Sequence, residues 1–178
     1  NSSNPTLDGC AFTGNTADYG GGVYNRNSSN PTLTDCTFTG NIAYDEGGGM
    51  YNDFNSNPTL DGCAFTGNTA DYGGGMYNND SSSPALTNCT FTYNTAYNGG
   101  GMYNNENSPT LTNCTFENNT SNSGGGVYNR DNCNPTFVDC VFTKNSTNFN
   151  GGGMYNFTNS SPTLTNCSIE YNDTAQNG

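Results

Sequence analysis

Apolar residues recur in this chain at fixed offsets from seven prolines, Pro5, Pro31, Pro58, Pro84, Pro109, Pro135 and Pro162. Two residues after each comes Leu7, Leu33, Leu60, Leu86, Leu111, Phe137 or Leu164. Five after comes Cys10, Cys36, Cys63, Cys89, Cys114, Cys140 or Cys167. Seven after comes Phe12, Phe38, Phe65, Phe91, Phe116, Phe142 or Ile169, and ten after comes Asn15, Asn41, Asn68, Asn94, Asn119, Asn145 or Asn172. No insertion interrupts this block. Length varies only between the Asn and a triple glycine, and after the Tyr-Asn pair that follows the glycines. Rigid cores hold length and surface loops tolerate changes in it, so both variable stretches read as loops.

The pattern predicts short strands and no helix. Thr, Tyr, Phe and Cys in runs of three to five suit strands. Triple Gly, Pro and abundant Asn oppose a helix of useful length. Cys and Phe are two apart and share a strand face, whereas Leu and Cys are three apart. A bend must therefore fall between Leu and Cys, at Asp61-Gly62 and its equivalents Thr34-Asp35 and Thr87-Asn88. The expectation is three strands per coil: Pro-Thr-Leu, Cys-x-Phe and Gly-x-Met-Tyr-Asn. A repeat of this length means stacked units. The string Leu60-x-x-Cys63-x-Phe65-x-x-Asn68 also fits the leucine-rich template, but the second segment, Thr69 to Asn78, is too poor in apolar residues to cover a horseshoe. The reading is an all-β, right-handed parallel β-helix. Residues 1–178 form one solenoid domain of seven coils, beginning near residues 4, 30, 57, 83, 108, 134 and 161.

The motifs Phe-x-x-Asn (Phe12 to Asn15 and its five later copies) and Gly-Gly-Gly-Met/Val-Tyr-Asn (Gly20 to Asn25 and its later copies) resemble the paired motifs of polymorphic outer-membrane protein repeats. In that family the second motif is usually Gly-Gly-Ala-Ile; here Gly stands for the Ala, and Met or Val for the Ile. The resemblance covers nearly the whole chain. It implies a β-helix displayed on a cell surface with an adhesive role. The membrane barrel of that family has no counterpart in these residues, so the resemblance leaves the anchor open.

Composition changes the picture only when set against the repeat. Leu, Ile, Val and Phe number 22 of 178 residues and the net charge is -12, a balance typical of disorder. Stacking resolves this, because a thin core needs few apolar residues when they line up along one axis at about 4.8 Å per coil. The only basic residues are Arg26, Arg130 and Lys144, which excludes nucleic acid as a partner. No apolar run is long enough to span a membrane. The acidity suits solubility outside the cell or at its surface.

The candidate residues are mostly structural. Asn15, Asn41, Asn68, Asn94, Asn119, Asn145 and Asn172 would form an amide ladder along the axis. The seven column cysteines read as buried, reduced thiols used as small hydrophobes. Cys133 stands apart in a loop, and is the one candidate for intermolecular pairing or reaction. Tyr24, Tyr51, Tyr77, Tyr103, Tyr128 and Tyr155 would form an outward row able to contact a glycan or a neighbouring fibre, or simply to stack along the sheet. Outward Thr rows are broken at Asp8, Asp61, Ala85 and Val138, which weighs against ice binding. There is no His, and Ser and Thr lack a base partner. No cofactor or metal is expected.

The function expected is structural or adhesive, as a stalk or filament subunit. The alternative is a protein that binds or cleaves polysaccharide, for which Arg26 and Arg130 share a loop position but stand four coils apart. Residues 1–5 match residues 27–31, and residues 176–178 fall where each earlier coil begins its Gly triplet. The expectation is therefore a longer array, or copies stacked head to tail.

Overall fold

Each repeat forms one turn of a parallel solenoid. In the third coil the strands are Thr59–Asp61, Ala64–Thr66, Thr69–Tyr72 and Met76–Asn78. The structure, a computed structural model, describes residues 3–174; the match expected at residues 1–2 and 176–178 lies outside them. Equivalent strands pair in parallel, coil upon coil, into three sheets of seven strands and one of six. The registers set like on like: Leu33 opposite Leu60, Phe38 opposite Phe65, Met50 opposite Met76. Among the described residues six coils carry all four strands and the seventh carries three, a small change from seven full coils.

Four strands per coil correct the expected three. The segment after the ladder Asn, read from its variable length as a loop, is the third strand. Its extra residues become bulges: Ala17 pairs with Ala43, but Tyr19 pairs with Glu46, so the second coil fits one more residue. A bulge absorbs an inserted residue without disturbing the neighbouring coils. The inward positions of this strand are small (Ala43, Ala70, Ala96, Ser121), which is why no apolar anchor marked it.

The interior follows the columns read from the sequence. Leu33, Leu60, Leu86 and Leu111 are buried, with Phe137 continuing their column. The phenylalanines stack ring on ring from Phe12 to Phe142, 4.5 to 5.0 Å apart and within 8° of parallel. Phe137 is larger than the Leu it replaces and meets Phe142 edge-on at 5.4 Å. The bend between Leu and Cys falls where expected, with left-handed backbone at Gly62 (φ 64°), Asp35 (φ 50°) and Asn88 (φ 54°). Asp and Asn are the side chains that best tolerate this conformation.

The Gly triplet makes the corner between the third and fourth sheets. Its first residue, such as Gly47 (φ 68°), is left-handed, and a Cβ there would stand 2.8 Å from Tyr51 Cβ. A Cβ on its third residue, Gly49, would stand 2.8 Å from the Phe65 ring. The corner thus brings a phenylalanine against its inner side and a tyrosine against its outer side, with only glycine backbone between.

Candidate functional site

The asparagines at the first ladder are buried in the middle coils and fully satisfied. Asn68 Oδ1 accepts from Asn41 N and Asn41 Nδ2, both at 3.0 Å. Asn68 Nδ2 donates to Asn94 Oδ1 and to Phe38 O, both at 2.9 Å. The same pattern runs from Asn15 to Asn172. A second amide ladder, not foreseen, joins Asn25, Asn52, Asn78, Asn104, Asn129 and Asn156 through Nδ2-to-Oδ1 bonds of 2.8 to 2.9 Å. Its signal was present: the Asn of every Tyr-Asn pair lies two residues from an inward Met or Val and so shares its face.

Six of the seven column cysteines sit at a corner just before the second strand, not within it as expected, and the seventh, Cys167, has the same place before Ser168. They are more than small hydrophobes. Cys36 Sγ donates to Thr34 O at 3.3 Å, and Cys89 Sγ to Thr87 O at 3.2 Å, so each thiol caps a carbonyl at the bend. All eight cysteines are free, and burial pushes the Cys36 thiol up from its ordinary value.

Two sequence expectations fail here for one reason: loops and corners pack where the repeat alone shows only an outer face. Cys133 is no reactive loop thiol; it is fully buried. It occupies the position held by Ser29, Ser56, Ser82 and Ser160, two residues before the next proline. Its Sγ donates to Arg130 O at 2.9 Å and accepts from Asn107 N at 3.4 Å, as Ser56 Oγ donates to Asp53 O and accepts from Ser29 N.

The tyrosines, read as a surface row, are mostly covered. Tyr51, Tyr77, Tyr103 and Tyr128 are 2 to 8% exposed and form a second apolar cluster outside the wall, with Tyr72 and Tyr155 packed against it. Only Tyr24, at 40%, is open to solvent in the way expected of the row. They lie over the glycine corner, flanked on one side by the end of the third strand and on the other by the residue after the Tyr-Asn pair. Burial is the main cause that pushes the phenols of Tyr51, Tyr77, Tyr103 and Tyr128 up, Tyr103 to about 12.

The flanking positions differ from coil to coil. At the end of the third strand the paired residues run Tyr19, Glu46, Tyr72, Asn98, Ser123 and Asn150. After the Tyr-Asn pair stand Arg26 opposite Asp53, then, two coils on, Asn105 opposite Arg130. Tyr72 meets Tyr103, one coil further along, edge-on at 5.5 Å. A cavity of about 240 Å³ opens there, lined by Glu46, Tyr72, Tyr77, Tyr103, Asn105, Arg130 and Asp131. Arg130 Nε is paired with Asp131 Oδ2 at 2.9 Å. Among the described residues no cluster of three or more His, Cys, Asp or Glu side chains is placed to hold a metal ion.

These features define a class: a repeat scaffold whose interior is a set of continuous ladders and whose individuality lies at one outer corner. The chain belongs to the right-handed β-helix family, whose description, right handed beta helix region, matches residues 1–122 and 54–178 and so spans the whole sequence. No curated protein and no solved structure matches it significantly.

Proposed function

We propose that this chain is a structural and adhesive segment of an extracellular or cell-surface protein, a stalk or filament made of stacked coils. The observation that carries the reading is the contrast between inside and outside. Every interior column keeps its chemistry from coil to coil, so each coil is tied to the next by four sheets and two amide ladders. Such a stack makes a stiff rod whose stability is a sum of nearest-neighbour terms. The outward positions vary, which suits display. The likeness of the Phe-x-x-Asn and Gly-Gly-Gly-Met/Val-Tyr-Asn motifs to polymorphic outer-membrane protein repeats supports a surface location.

Self-association belongs to the same reading. The first coil presents Leu7 and Phe12, and the last presents Leu164 and Ile169 (37 and 51% exposed), the same columns as the interior. A coil of this repeat, from the same chain or a second copy, would extend the rod, and such a head-to-tail contact propagates. The reading assigns no catalysis and no cofactor.

The test is to display the chain on a non-adherent cell and measure the force that detaches the cell from glycan- and protein-coated surfaces. Retention above that of cells displaying an unrelated rod is expected. No gain on any surface would remove the adhesive role. Mass measured by light scattering across concentration tests stacking, and a fixed monomer would remove it. Turnover of an acidic polysaccharide that is lost in Arg130→Ala would replace the whole reading with an enzyme.

A further inference from the structure

The outer face of the third sheet carries a second pattern, with a period of two coils. Its strands turn Ala, Ser or Thr inward at the second position, so the third position points out. Coil by coil that outward position reads Asp18, Tyr44, Asp71, Tyr97, Asn122 and Asn148. In the sixth coil Phe149 follows Asn148 within the bulge and is itself exposed. Large aromatic groups thus stand on coils two, four and six, and short polar ones on coils one, three and five. Tyr44, Tyr97 and Phe149 are 65, 57 and 66% exposed, so their rings are open to a partner in a way that the covered corner tyrosines are not.

Spacing selects the shape of a partner. Equivalent rings of successive coils stand 4.5 to 5.0 Å apart in the interior column. Positions two coils apart are therefore about 9.6 Å apart along the axis. A polyproline II helix brings every third residue to one face, about every 9.3 Å. A β-strand does so about every 6.8 Å, and an α-helix returns after seven residues, at about 10.5 Å. Across the three aromatic positions the polyproline helix drifts by about 0.6 Å and the α-helix by about 2 Å. Proline-rich segments are already extended before they bind, and they dock on aromatic side chains. Charge selects the composition. Asp18 and Asp71 bracket Tyr44, Asp45 stands beside it, and none of the three is in an ion pair among the described residues. Asp45, with Glu46 and Asp18, lies close enough to Tyr19 to push its phenol up. All three basic side chains of the protein are paired elsewhere. A carboxylate between open aromatic rings suits an Arg or Lys, which meets both an opposite charge and a ring face. The net charge of -12 repels an anionic partner.

We propose that the outer face of the third sheet docks a basic, proline-rich protein segment in the polyproline II conformation. The segment lies along the solenoid axis, with prolines on Tyr44, Tyr97 and Phe149 and an Arg or Lys over Asp71. This gives the adhesive half of the proposed function a partner class and a location, and it rests on that reading for its use at a surface. The strands beneath the row are paired on both sides, so the rings are held in place before the partner arrives. The neutral Asn122 and Asn148 leave the charge at one end of the row, so the ligand has a direction, with its basic residues over the first three coils.

The test is calorimetric titration of the intact chain with a synthetic peptide of three Pro-Pro-Arg triplets, about 28 Å long as a polyproline helix. A peptide of Gly-Gly-Arg triplets keeps the charge and loses the prolines, and one of Pro-Pro-Glu triplets reverses the charge. A β-linked gluco-oligosaccharide probes for a glycan on the same rings. The Pro-Pro-Arg peptide should bind saturably, about ten-fold or more tighter than the Gly-Gly-Arg peptide, or 1.4 kcal/mol, and the Pro-Pro-Glu peptide should not bind. Tyr97→Ser should weaken binding about ten-fold, and Asp71→Asn about three-fold with a flatter dependence on salt. Tyr93→Ser, at a ring that is 64% exposed on the turn before the same strand, should leave it unchanged. All three positions are exposed, so the thermal transition should stay cooperative in each variant. The proposal is overturned if the Pro-Pro-Arg peptide does not bind, if the Gly-Gly-Arg peptide binds as well, or if Tyr93→Ser weakens binding as much as Tyr97→Ser. Binding of the oligosaccharide in place of the peptide, lost in Tyr97→Ser, overturns it too. Failure here with cell retention intact removes the docking row and keeps the adhesive reading, whereas peptide binding without cell retention supports the row and removes its adhesive use.

Discussion

Two aromatic columns run along this protein on opposite sides of the same glycine corner, and they are ordered differently. The inner one, from Phe12 to Phe142, stacks with every pair of planes within 8°. The outer one, from Tyr24 to Tyr155, has similar centroid spacings, 4.8 to 5.1 Å, but its interplanar angles range from 2° to 69°. The inner rings all meet the same neighbours, a Gly on one side and the Asn ladder near it, so one geometry is best in every coil. The residue at the end of the third strand changes from coil to coil, through Glu46, Tyr72, Asn98 and Ser123, so the outer rings settle differently. Uniform surroundings make the inner wall a source of stability; varied surroundings make the outer corner the place where one coil differs from the next.

The largest expected effect separates the two columns directly. Phe65→Ala should destabilise the protein by about 3–5 kcal/mol, because the ring is fully buried and its neighbours cannot collapse without breaking the stack. Tyr77→Ala should cost about 2 kcal/mol, since its site borders an open cavity that water can enter. Urea titrations of both variants read the difference, and equal losses would mean that the outer corner is as much core as the inner wall.

The two amide ladders give the next contrast. Asn68 makes four side-chain bonds, and Asn68→Ala leaves several buried partners unsatisfied, at about 2–4 kcal/mol. Asn78 makes one amide bond to each neighbouring coil, and Asn78→Ala should cost about 1 kcal/mol. The same titrations decide it, and a reversed order would show that the second ladder holds the coils in register.

Glu46 makes a smaller test, one that depends on pH. Burial raises its pKa, with a hydrogen bond from the Tyr51 phenol acting partly against this. The folded protein therefore keeps this proton to higher pH than the unfolded chain does. Stability from this group is present below the ordinary carboxylate range and is lost as pH rises through the raised value. Glu46→Gln should be more stable than the parent at neutral pH, with the gain vanishing in acid below about pH 4. Melting curves at both ends of that range check the sign.

The smallest effect is expected at Cys133. Four other coils place Ser at this position, with the same donor and acceptor roles in Ser29, Ser56 and Ser160, so Cys133→Ser should shift stability by about 0.5 kcal/mol or less. In the parent, the thiol should resist a polar alkylating reagent until the chain unfolds. Rapid labelling of the native protein at Cys133 would contradict its burial.

Much of this molecule was written in its spacing. The Leu, Cys, Phe and Asn columns sit at constant offsets from proline, and parallel stacking turns a constant offset into a continuous column; the bend at Gly62 followed from the three-residue step between Leu60 and Cys63. The serine position of Cys133 was equally legible, two residues before each proline, though its burial was not.

What the sequence could not determine depends on groups that meet only after the coil closes. The third strand was hidden because its inward residues are Ala and Ser and its length varies, and only pairing with the coils on either side shows that a bulge absorbs the difference. The tyrosines lie outward by strand parity, yet the glycine corner folds the end of one strand against the start of the next and covers them. The cavity by Tyr72 exists because side chains from four coils converge on one corner. The sequence by itself decided what stacks on what, since that is a matter of period. Tertiary structure decided which outer faces are buried and which stay open, since that depends on how two sheets meet at an angle the period does not encode.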